Sequence, residues 1–279
     1  MKNRFLALVA MTIASAASVA GTSPLDKFVD YWDNGTNGVF VLNTNCWAHG
    51  IDTSCASMWN SFDKNKRAGT AISKRHVIAA AHYPIGSGTK LVFCGNDGSV
   101  CTNRVTGARI VTGTDILVLL MQDELPNVVT PAQLLPTNFP EYIWTGLRLP
   151  VIRFDQNERC IINEISQALP FPHSPRLNDV ELFVSQPNLP ARQAFYDHLR
   201  VLDSGNPIFL VIGGSSVLLG TSHHGHNAVS PDVYRTTSAP FVTYYAEEIQ
   251  AAMDSLMPGY SLSFVDLSSY AKVREELVR

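Results

Sequence analysis

Short apolar or alternating runs recur along the chain, at residues 39–42, 68–72, 77–80, 91–93, 116–121, 151–154, 160–165, 181–184, 208–212 and 217–219. Each has the length of a strand. Clusters of Gly, Pro, Asn and Asp separate them, such as Pro84-Ile85-Gly86-Ser87-Gly88 and Gly213-Gly214. Many short strands divided by turns predict an all-β barrel or sandwich and argue against alternating βαβ units. The period changes only late, where Ile249, Met253, Leu256 and Met257 fall at helical spacing and Pro258-Gly259 supplies a stop. The Pro-rich stretch 125–140 is the candidate linker between two halves. No repeat of solenoid period and no low-complexity tract interrupts the pattern.

Composition narrows this further. The 279 residues are 46% hydrophobic and 16% charged, with 18 Gly and 16 Pro. Globular chains average about 25% charged residues and about 12% Gly plus Pro. Charge is scarce while Gly and Pro are ordinary, which excludes a collagenous, disordered or coiled-coil chain. The length allows a sizeable core. A net charge of −3 without a dense basic cluster excludes nucleic acid as the main partner, because neutralising phosphates requires grouped Lys and Arg.

Residues 1–20 predict a secretory signal peptide. Lys2 and Arg4 precede an apolar run from Phe5 to Ile13, and Ser18-Val19-Ala20 fits a small-x-small cleavage site. Without them, 19 basic and 24 acidic residues leave a mature charge of about −5. No later apolar run reaches the roughly 18 residues of a membrane span. The mature chain is expected to be secreted, extracellular or periplasmic, with no membrane attachment after cleavage. Export predicts oxidised cysteines. Cys94 and Cys101 flank the turn Gly95-Asn96-Asp97-Gly98 and are expected to bond, as are Cys46 and Cys55 across a second short loop. Cys160, within an apolar run, is then a buried free thiol.

Three segments carry candidate chemistry. Ala79-Ala80-Ala81-His82 ends a strand on a histidine; the small alanines let another part of the fold approach it, although a lone His is commonly an ordinary surface residue. Asp115 stands directly before Ile116-Leu117-Val118-Leu119-Leu120, as a turn residue or as a carboxylate at the mouth of a buried strand. There it would require a hydrogen-bonding partner such as an imidazole N–H. Leu202-Asp203-Ser204-Gly205-Asn206-Pro207 is a turn signal, or a serine presented on a tight loop with successive backbone N–H groups aimed at one point.

Together the three resemble the trypsin-like (chymotrypsin-fold) serine peptidases, whose corresponding motifs read T-A-A-H, D-I-A-L-L and G-D-S-G-G-P. The chain order His, Asp, Ser is the one that family uses. Leu218-Leu219-Gly220-Thr221-Ser222-His223-His224-Gly225 is similar to its L-V-G-x-x-S-W-G strand. The resemblance runs from about Gly38 to Ile249. It implies a peptidase domain at 21–257, with two packed six-stranded antiparallel barrels at about 38–125 and 141–240. A terminal helix follows at about 241–257, and residues 258–279 form a C-terminal extension. It also implies roles: Ser204 as nucleophile, His82 as general base and acid, Asp115 as its orienter, and the backbone N–H groups of Leu202 and Ser204 as oxyanion donors. No cofactor and no metal are required, the partner is a protein or peptide substrate, and the chain is expected to be a monomer.

The departures matter equally. Tyr83 stands where the family usually has a Cys, and no basic residue followed by I-V-G-G marks an activation cleavage. Leu202 replaces the family's oxyanion-hole Gly; its N–H survives, but a Cβ restricts the angles that aim it. Counting back from Ser204, the substrate pocket implied by the resemblance has His198 at its floor, with Asp197 beside it, and His223, His224, Gly225 and His226 on its wall. A trypsin-like preference for Lys or Arg is therefore not expected. The histidines could take an acidic P1 side chain, or they could be solvated around a shallow, permissive pocket. Two rival functions remain: a secreted binding protein of the same fold without catalysis, and metal binding through His223, His224 and His226. In the last case at most two imidazoles share a strand face.

Overall fold

A computed structural model describes residues 25–32, 40–57, 67–142, 148–170 and 180–270; the expected signal peptide lies outside them. A short hairpin, β1 (Asp30–Trp32) and β2 (Phe40–Leu42), precedes the first sheet. That sheet contains β3 (Ala56–Ser57), β4 (Gly69–Ala71), β5 (His76–Ala80), β6 (Lys90–Cys94), β7 (Val100–Ile110) and β8 (Ile116–Met121). Its order is β3-β4-β5-β8-β7-β6, every pair is antiparallel, and β3 approaches β6 so that the sheet nearly closes into a barrel. β5 is buried along its whole length, because one face fills the barrel and the other meets the second half of the molecule.

The second half contains β9 (Gln133–Leu134), β10 (Pro150–Phe154), β11 (Cys160–Pro170), β12 (Val180–Ser185) and β13 (Leu199–Arg200). It continues with β14 (Pro207–Ile212), β15 (Ser215–Thr221), β16 (His224–Ser230) and β17 (Val233–Pro240). The strand pairing does not show a second closed six-stranded barrel. These strands form one nine-stranded sheet in the order β13-β17-β12-β11-β10-β14-β15-β9, with β16 paired to β17 alone. The supposed linker contributes β9, which runs parallel to β15. The path ends on β13 and β9, two-residue strands that do not pair with each other.

The helix Ala246–Leu256 forms where the periodicity placed it, with Glu247 and Glu248 in the first turn, where acids favour the helix dipole. Ile249, Ala252 and Met253 are buried against β7 and β8. The chain then returns to β9: Leu134 donates to the Ser263 carbonyl (2.8 Å) and Val265 donates to that of Leu134 (2.9 Å). Val265 and Leu267 are buried in the second core, so this part of the extension belongs to the packed structure.

None of the five cysteines is disulfide-bonded, so neither disulfide expected from loop proximity is formed. Strand parity explains the first. On β6 and β7, Cys94 pairs with Val100 and Cys101 with Phe93, so Cys94 and Cys101 point to opposite faces of the sheet. Cys46 and Cys55 are both buried, and Cys46 lies near the buried thiol of Cys160. Burial pushes the Cys55 and Cys160 thiols well above their ordinary range, which makes them inert.

Candidate active site

β5 and β8 pair side by side, with Ala80 opposite Ile116. This register delivers the residues just beyond them, Ala81-His82 and Asp115, to one edge of the barrel. Asp115 holds His82 twice, accepting from the backbone N–H at Oδ1 (2.7 Å) and meeting Nδ1 at Oδ2 (2.8 Å). The carboxylate is 5% exposed, and the imidazole 40%. On the far side of the ring, Nε2 lies 2.8 Å from Ser204 Oγ. One imidazole therefore stands between a buried carboxylate and a serine hydroxyl, at hydrogen-bond distance from each.

Ser204 sits on the loop leading into β14. Gly205 lets that loop come close: its φ is +85°, and a Cβ there would meet the Ala68 carbonyl at 3.2 Å and the Ala80 backbone nitrogen at 3.7 Å. The alanine run thus leaves the space into which the serine loop packs. Asp203 anchors the loop from beneath. Its buried carboxylate accepts from Arg153 Nη1 (3.1 Å), Gln156 N (2.9 Å) and Arg200 N (2.8 Å). Burial pushes the Asp203 carboxyl up, and the Arg153 guanidinium opposes that shift. Arg153, on β10, is itself fully buried and also donates to Asn163 Oδ1 (3.2 Å) and the Phe154 carbonyl (3.2 Å).

Leu202 has φ +79°, the left-handed region where its Cβ was expected to be an obstacle. The loop imposes the conformation of a glycine on a leucine, at a cost of roughly 1–2 kcal/mol. The backbone N–H groups of Leu202 and Ser204 bond to no other group among the described residues, so both remain open to a ligand oxygen. Because the Leu202 side chain is half exposed, Leu202→Gly is expected to remove strain while losing little packing. The variant should be as stable as the parent or up to about 1 kcal/mol more stable in urea titration, with the serine site unimpaired.

A cavity of about 220 Å³ adjoins Ser204. Arg200, His223, His224, Gly225 and Tyr234 line it; His198 and His226 do not. His198 packs against Tyr196 (ring centroids 5.3 Å) and His226 against Phe183 (5.3 Å). Asp197, the alternative floor, is engaged with Arg159 (2.5 Å). Gly225 has no room for a side chain, since a Cβ would meet the Tyr234 ring at 2.5 Å. Arg200 went unnoticed in the sequence because a single Arg before a turn has no distinguishing pattern.

His224 and His226 share a strand face, with ring centroids 5.0 Å apart. The metal cluster considered for His223, His224 and His226 is not what assembles. Among the described residues, it is His82, Asp115 and His223 that offer atoms within 4.8 Å of one another. His82 Nδ1 and Asp115 Oδ2 already face each other at 2.8 Å, so a cation would have to break that contact. The chain matches no protein-family model and no curated protein.

Proposed function

We propose that the chain is an exported serine endopeptidase of the trypsin-like type, acting through an acyl-enzyme. The observation that carries this reading is His82, with Asp115 at 2.8 Å from one ring nitrogen and Ser204 at 2.8 Å from the other. Ser204 Oγ attacks the scissile carbonyl carbon as its proton passes to His82 Nε2. The N–H groups of Leu202 and Ser204 receive the developing oxyanion. Cleavage of the C–N bond follows, with His82 returning the proton to the leaving amine. Water then repeats both steps on the ester. Asp115 keeps Nδ1 protonated, so that Nε2 presents its lone pair to the serine. The nearly closed first barrel and the β-rich second half support the kinship in fold, and the buried Arg153–Asp203 pair supports a serine loop set without a newly cut N-terminus.

Labelling with a fluorophosphonate probe tests the reading. Wild type should take the label and Ser204→Ala should not. A folded wild-type chain that takes no label and cleaves no peptide library would instead be a binding protein of the same fold.

The pocket allows a sharper expectation. Arg200 and His224 line it, and its one acidic residue, Asp203, is engaged with Arg153. A P1 Lys or Arg finds no free carboxylate there, whereas an acidic P1 meets the Arg200 guanidinium. In a library varied at P1, Glu or Asp should exceed Lys or Arg by at least about tenfold, equivalent to one charge-assisted contact. Arg200→Gln should flatten that preference. Preferred cleavage after Lys or Arg would refute this pocket assignment.

A further inference from the structure

We propose that Glu181 and His223 form a second carboxylate–imidazole pair behind Asp115, which sets the charge that Asp115 presents to His82. The inference rests on the reading of His82, Asp115 and Ser204 as catalytic, but its test does not depend on turnover.

The geometry is a line of alternating groups. Ser204 Oγ meets His82 Nε2, and His82 Nδ1 meets Asp115 Oδ2, both at 2.8 Å. The same Asp115 oxygen lies 3.9 Å from His223 Nε2, and His223 Nδ1 lies 3.4 Å from Glu181 Oε1. His82, Asp115, His223 and Glu181 come from separate elements: the turn after β5, the start of β8, the β15–β16 connection, and β12. Both outer contacts are long for hydrogen bonds, so His223 acts mainly through charge and its fixed position.

Burial makes that charge consequential. Asp115 and Glu181 are buried carboxylates, and the His223 side chain is only 11% exposed. Two anions so placed would repel each other in a medium that screens poorly. One imidazolium between them cancels half of that charge. Burial works against a His223 cation, but the Glu181 and Asp115 carboxylates outweigh it and hold the ring above the ordinary histidine range. The other groups nearby are the rings of His82 (5.1 Å) and His224 (6.1 Å), together with His226, Tyr234 and Arg200. Of these only Arg200 is a permanent cation, on the exposed rim of the pocket. None of them stands between Glu181 and Asp115 as His223 does.

With His223 charged, His82 faces a net single negative charge from the three groups behind it. In His223→Gln it faces two, which favours its own cation. In the double variant His223→Gln/Glu181→Gln it faces one again. Two variants that remove the same imidazole are therefore expected to differ at His82, one raising its midpoint and the other leaving it at the wild-type value, which a purely structural role for His223 would not produce.

The experiment is a histidine-selective ¹⁵N NMR titration of the full chain, with His82 and His223 signals assigned by single substitution. Relative to wild type, the His82 midpoint should rise by about one pH unit in His223→Gln and return in the double variant, given the shift that a charge at this range causes. In wild type, His223 should titrate above an ordinary histidine, and Glu181→Gln should lower it. An unmoved His82 midpoint in His223→Gln overturns the proposal. So does a wild-type His223 that titrates below the ordinary range, a measurement that needs no variant to fold. If the chain is a peptidase, the acid limb of kcat/KM moves with His82. A wild type that shows the coupling but takes no fluorophosphonate label sinks the peptidase reading and leaves the pair standing.

Discussion

Ser204→Ala and His82→Ala are each expected to lower kcat by about 10⁴–10⁶-fold, and the double variant by little more, because nucleophile and base act as one unit. The non-additivity is the diagnostic part. His82 Nε2 is 2.8 Å from Ser204 Oγ, and without either partner the serine proton has nowhere to go. Asp115→Asn should also be severe, about 10⁴-fold. Asp115 Oδ2 faces Nδ1 at 2.8 Å while Oδ1 accepts the His82 backbone N–H at 2.7 Å. An amide would either turn its NH₂ toward Nδ1 and drive the proton to Nε2, or turn it toward a backbone donor. The first choice removes the tautomer that can accept from serine, and the second sets two N–H donors against each other and loosens the imidazole. Steady-state assays on the best library peptide, with enzyme concentration taken from absorbance, measure the four variants against wild type on one scale. Retention of more than about one part in a hundred of kcat by Ser204→Ala would exclude Ser204 as nucleophile.

These three residues were legible in the sequence because each opens or closes a strand. The apolar runs at 77–80, 116–121 and 208–212 reappear within β5 (His76–Ala80), β8 (Ile116–Met121) and β14 (Pro207–Ile212), so the residues at their ends were placed in advance. The final helix was legible for the same reason, through its period. Long strands with solvated faces were not. β7 alternates exposed and buried positions through polar residues, and β16 is largely exposed, so neither stands out by hydropathy. The absence of β16 from the expected set helped to hide the size of the second sheet.

The charged residues that support the site were also missed. Arg153 and Glu181 lie inside the strands Pro150–Phe154 and Val180–Ser185, where a single charge among apolar neighbours has no motif. The signal was nevertheless present, because a charge at a position buried by its neighbours requires a partner. What the sequence could not supply was which partner, since Arg153 and Asp203 are fifty positions apart. The disulfide expectation failed differently: loop proximity was counted without strand parity, which places Cys94 and Cys101 on opposite faces.

Arg153→Met is the substitution expected to cost most in stability, about 3–5 kcal/mol, because it strands a buried carboxylate that the native fold neutralises. Arg153 is fully buried and Asp203 nearly so, with 3.1 Å between them. Burial already pushes the Asp203 carboxyl up, against the pull of Arg153; without the guanidinium that rise grows. A carboxyl raised in the folded state favours folding most when protonated, below its unfolded value, and loses that contribution as pH rises through the folded value. The deficit of Arg153→Met should therefore be largest at neutral pH and shrink on acidification toward about pH 4. Urea titrations at both pH values measure the difference. Arg153→Met/Asp203→Asn should recover much of the loss, since no charge is left unpaired and the Asn oxygen can still accept one of the loop N–H bonds that Asp203 takes from Gln156 and Arg200. Activity should not recover in parallel. Leu202 and Ser204 flank Asp203, and the direction of their N–H groups depends on the anchor beneath them; fluorophosphonate labelling of the double variant should stay at least about tenfold slower than wild type, the effect of losing about 1.4 kcal/mol at an oxyanion donor. If Arg153→Met costs less than about 1 kcal/mol at pH 7, the pair is no anchor, and the left-handed Leu202 must be held by the loop's own backbone contacts instead.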